Sequence, residues 1–70
     1  MAKKKAQQSI GYRLQAILKK QDITVYRLSR LSGLSTGHLH ALTHDEYKPG
    51  IDTLAKLAEA LNVPIGDLIG

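Results

Sequence analysis

The sequence predicts an all-α domain of five short helices, on three grounds. Apolar residues recur at helical spacing, hydroxyl residues stand just ahead of the apolar stripes, and glycine and proline fall between them. Ile10, Leu14, Ile17 and Leu18 sit at i, i+4, i+7 and i+8, the stripe of an amphipathic helix over about residues 9 to 20. Thr24 suits the N-cap of a second helix of about eight residues, with Val25, Leu28 and Leu31 inward. Gly33 ends it, as the residue most tolerant of a left-handed turn. Ser35 caps a third helix running to about residue 44, with Leu39 and Leu42 as its inward pair. The segment DEYKPG is a loop, because Pro49 disfavours helix before it and Gly50 loosens the chain. Ile51, Leu54, Leu57, Ala58 and Leu61 then trace a fourth stripe. Asn62 to Pro64 separates it from a last turn holding Ile65, Leu68 and Ile69, for which core and a dimer surface are equal alternatives.

A chain of 70 residues forms one domain with a limited core, and its 43% apolar content is that of a globular protein. Residues 1 to 8 read as a flexible basic arm and residues 9 to 70 as the folded domain. The absence of cysteine excludes a disulfide framework, a thiolate metal site and a cysteine nucleophile, and it suits a reducing cytosol. No apolar run approaches the roughly 20 residues that span a bilayer, and MAKKKAQQ lacks the apolar segment of a secretory signal. The expectation is a cytoplasmic protein without a membrane partner. Net charge is +4, but unevenly held: residues 1 to 30 carry eight Lys and Arg against Asp22 alone, whereas residues 31 to 70 carry two against five acids. A polyanion would meet the basic half first.

The informative stretch is TVYRLSRLSGLSTGHLHALTH, residues 24 to 44. Two short helices share a tight turn at Gly33, and the slim Ser29 sits where their axes come close. In such a helix-turn-helix the second helix enters a DNA major groove while the first crosses the backbone. Here the chain resembles the Cro and phage-repressor (XRE-type) family, with a lambda-repressor-like fold. The resemblance rests on Ile10-Gly11-x-Arg13-Leu14, Thr24-x-x-x-Leu28-Ser29, Gly33-Leu34-Ser35, Leu39, Leu42 and Pro49, and the run from Leu54 to Val63. It implies a DNA-binding transcriptional regulator, a repressor, bound as a homodimer to a palindromic site on double-stranded DNA. Three departures stand out. The family usually carries a phosphate-reaching Gln after the Thr, where this chain has Val25. Arg27, three residues after the cap, cannot complete a capping box. Thr43 and Asp45 replace the Glu and Gly common near the end of the family's third helix.

With Leu39 and Leu42 inward, the outward face of the third helix holds Gly37, His40, Ala41 and His44, and Thr36 lies at its exposed start. The resemblance also carries base reading onto Thr36, Gly37, His40 and Ala41. Arg for guanine and Asn or Gln for adenine are all missing from this face, so direct readout is modest and DNA shape carries part of the specificity. Gly37 and Ala41 permit close approach, Thr36 and Ala41 can pack on thymine methyls, and His40 can donate to a purine edge. The helix starts at Thr24 and Ser35 are phosphate sites. Tyr26, Tyr47, Lys48 and Arg13 join them, and Lys3, Lys4 and Lys5 resemble the basic arms with which some phage repressors wrap the duplex.

His40 and His44, spaced i, i+4, are compatible with a shared metal ion, but no third ligand is evident, so neither metal nor cofactor is expected. No nucleophile with its base, no paired carboxylates and no phosphate-cradling loop indicate an enzyme. The competing reading is an antitoxin-like or other module that uses this fold to bind a protein partner.

Overall fold

The computed structural model describes residues 9–69, which form five helices and no strand: α1 (Ile10–Gln21), α2 (Val25–Ser32), α3 (Thr36–Thr43), α4 (Ile51–Leu61) and α5 (Gly66–Ile69). Hydroxyl caps set the first three starts. Ser9 accepts a hydrogen bond from the Tyr12 N–H, Thr24 from that of Arg27 and Ser35 from that of His38. The fourth helix starts after Gly50 with no side-chain cap bond, and Asp52 in its first turn complements the helix dipole.

Three helices end in the same way, on a non-glycine residue in a left-handed turn. Asp22, Asp45 and Asn62 each take φ of 57°, in the left-handed region that glycine favours and Asp and Asn tolerate. Each turn closes with a paired set of backbone bonds typical of a Schellman motif: Ile23 to Leu18 and Asp22 to Lys19 after α1, Glu46 to Ala41 and Asp45 to Leu42 after α3, Val63 to Ala58 and Asn62 to Glu59 after α4. Helix α2 ends instead on glycine, with Gly33 at φ 81° and its N–H bonded to the Ser29 carbonyl.

The stripes converge on one core of Leu14, Leu18, Leu28, Leu39, Leu42, Leu54, Leu57, Ala58, Leu61 and Leu68. Helix α1 packs against α3 and α5, and α2 packs against α3 and α4. Two expected core positions lie outside. Leu31 is 47% exposed, because α2 presents Leu28 to the core and leaves Leu31 beside Lys56 and Glu59 of α4. Ile51 opens α4 and is 64% exposed, with burial beginning one turn later at Leu54. In the final turn Leu68 is fully buried, Ile65 packs against the core edge and Ile69 is exposed, so that apolar trio divides between core and surface. Among the described residues no helix is long and apolar enough to cross a membrane.

Candidate nucleic-acid interface

Helix α3 is held from behind by Leu39 and Leu42, both fully buried, and its outer side is left unpacked. Thr36, Gly37 and His40 are exposed on it and Ala41 is half-buried. A methyl group added at Gly37 would meet nothing within 4 Å, so the backbone there is open to a close approach. His44 lies just past the last helical residue, one position short of the expected helix end. Its ring Nδ1 is 2.8 Å from the His40 carbonyl oxygen, which orients the imidazole with Nδ1–H donating. His40 and His44 thus stay side by side, with ring centroids 6.4 Å apart.

The hinge between α2 and α3 is secured by Ser29, whose hydroxyl donates to the Leu34 carbonyl at 2.6 Å. A small side chain at that point lets the bond form across the turn. The exposed caps Thr24 and Ser35 bring the starts of α2 and α3 to the surface. Tyr26 is exposed beside Arg30, whose guanidinium lies 5.9 Å from the Tyr26 ring centroid and donates to its hydroxyl at 3.2 Å. Beyond α3, Tyr47 and Lys48 are exposed and Pro49 is buried. His38 is half-buried and stacks edge-on against Tyr47 at 5.0 Å, which braces the loop on α3.

Arg13 lies elsewhere. It lines a shallow groove with Tyr12, Ile17 and Asp67, between α1 and α5, away from the groove that His40 and His44 share with α1. Lys3, Lys4 and Lys5 fall outside the described residues. Among the described residues no group of three or more His, Cys, Asp or Glu side chains is placed to hold a metal ion.

Three residues at the junction of α1 with α3 position this face. The Asp45 carboxylate accepts from the Ser9 hydroxyl at 2.6 Å and from the Gly11 N–H at 3.0 Å, tying the start of α1 to the end of α3. Gly11 sits so close to that junction that a Cβ would lie 2.6 Å from the Leu42 carbonyl oxygen. The Gln15 amide donates to the Thr43 carbonyl at 2.6 Å, capping the last turn of α3 from α1.

A short exposed helix presented across a tight turn from a second helix, inside a five-helix core, defines a helix-turn-helix domain. The family model of the Cro/C1-type HTH DNA-binding domain matches residues 13–70, and the chain belongs to that family. The immunity repressor protein of Bacillus phage phi105 is 31% identical over 62 residues, 89% of this chain and 43% of that protein, so this chain spans less than half the length of that relative. Among solved structures, the restriction-modification controller protein C.AhdI from Aeromonas hydrophila superposes with a TM-score of 0.82 at 23% identity, covering 86% of this chain and 91% of that one. An HTH_3 family transcriptional regulator from Vibrio cholerae gives 0.83 at 24% identity, over 87% of this chain and 34% of its own. Both share the fold.

Proposed function

We propose that this protein is a cytoplasmic transcriptional repressor, not an enzyme, that inserts α3 into the DNA major groove and binds a palindromic site as a homodimer. The observation that carries the reading is the unpacked outer side of α3, with Thr36, Gly37, His40 and Ala41 accessible on a helix fixed from behind by a leucine core. Thr24, Ser35, Tyr26, Tyr47 and Lys48 surround that side with helix starts and donors suited to phosphate oxygens. Recognition is then by close fit, with few base-edge hydrogen bonds, because the face offers His40, His44 and Thr36 as its polar groups.

Selection from a pool of random duplexes tests the proposal. A recovered palindrome with half-sites about one helical turn, roughly 34 Å, apart supports a symmetric pair. Recovery of no preferred sequence by folded protein would remove the repressor reading and leave a module that binds another protein, for which the exposed Leu31, Ile51 and Ile69 supply apolar surface.

A further inference from the structure

A groove of about 360 Å³ separates the C-terminal half of α1 from the start of α2 and the outer side of α3. Its apolar wall is Leu18, Ile23 and Val25, none of which offers a polar side-chain atom, and no Asp or Glu lines it. Of the polar groups there, the Gln15 amide is committed to the Thr43 carbonyl and the His44 Nδ1 to the His40 carbonyl. Lys19 lines the same groove, which His40 and His44 also border.

A lysine in the last turn of a helix has an ordinary role, which is to complement the negative end of the dipole, and Lys19 shares it with Lys20. The two differ in direction. Successive residues are turned by about 100°, and only Lys19 lines the groove beside α3. We infer that Lys19 is a phosphate-binding residue, seating one phosphodiester of the DNA strand at the mouth of this groove while α3 occupies the major groove. The inference rests on the DNA-binding reading above and adds to it a contact from α1, opposite a wall where the Val25 side chain has nothing to donate.

The test is the salt dependence of binding to the selected duplex, for the full chain and for Lys19→Ala, Lys19→Arg and Lys20→Ala, with the fold of each checked by circular dichroism. Loss of one phosphate contact lowers the slope of log affinity against log salt by about 0.9, a roughly five- to tenfold loss near 0.1 M salt. That loss is expected for Lys19→Ala alone. Lys19→Arg keeps the slope, since the charge remains. Lys20→Ala has the same charge change in the same turn and keeps it too. Equal losses from Lys19→Ala and Lys20→Ala would reduce the effect to net charge and overturn the inference, as would an unchanged slope in Lys19→Ala. Failure of the unmodified chain to bind any duplex overturns the DNA-binding reading itself, a result separable from either of these.

Discussion

At the scale of single residues, the junction of α1 with α3 concentrates the strictest demands in the molecule. Gly11 has backbone carbonyls of Leu42 and Thr43 and the Asp45 carboxylate where a side chain would begin. Two of those three atoms are main chain, so the neighbour can yield only by moving α3. Gly11→Ala is expected to cost about 1 to 3 kcal/mol, read as a lower urea midpoint with an unchanged slope. Asp45 answers two needs at once, because it holds a left-handed backbone and its carboxylate takes bonds from Ser9 and Gly11. Asp45→Gly relieves the backbone and loses the bonds, whereas Asp45→Ala loses the bonds and keeps the backbone penalty. The expected order of thermal stability is therefore Asp45, then Gly, then Ala. If Ala equals or exceeds Gly, the left-handed backbone is not what makes this position selective.

At the scale of the elements, Gly37 lets stability and binding be set against each other. It lies inside α3, where glycine is about 0.5 to 1 kcal/mol less favourable than alanine, and the space around it is open. Gly37→Ala is thus expected to raise the melting temperature and lower DNA affinity, since the added methyl occupies surface proposed to meet the base edges. A stabilised variant with undiminished affinity would move the contact away from this part of α3. Gly33 supplies the contrast. A methyl group there meets nothing within 4 Å, yet φ is 81°, so Gly33→Ala is expected to lose about 1 to 2 kcal/mol through backbone strain alone.

The elements also mark what a sequence discloses. The i, i+3, i+4 stripes, the caps Thr24 and Ser35 and the turn at Gly33 were legible because each is a local rule with a side chain attached to it. Leu31 and Ile51 broke the pattern for a tertiary reason: a stripe tells which direction a helix faces, and not how far along its length a neighbour reaches. The breaks at Asn62 and after the third helix were legible, but the left-handed conformation of Asp22, Asp45 and Asn62 was not, because these residues are also ordinary surface polar residues. Gln15 and Asp45 were hidden more deeply. Their hydrogen bonds span 28, 34 and 36 positions, so only the packing of α1 on α3 brings their partners within reach.

At the scale of the whole molecule, the charge asymmetry acquires a direction. Ser9 is the first described residue, and its hydroxyl is bound to Asp45 just beyond the end of α3. Whatever path residues 1–8 take, they leave the fold beside the end of α3. Lys3, Lys4 and Lys5 are four to six residues from Ser9, which bounds their reach at about 13 to 22 Å, enough to meet phosphates flanking the α3 contact. A chain lacking residues 1–8 keeps the Ser9 cap and every core leucine, so its thermal midpoint is expected to stay where it was. Its affinity for duplex DNA should fall, and the slope of log affinity against log salt should flatten by up to about 2.7 if all three lysines touch phosphate. This loss should add to that of Lys19→Ala, since the arm leaves beside Asp45 and Lys19 lines the groove bordered by His40 and Val25. A truncated chain with the original slope would confine the grip to the folded domain and leave the three lysines to solubility.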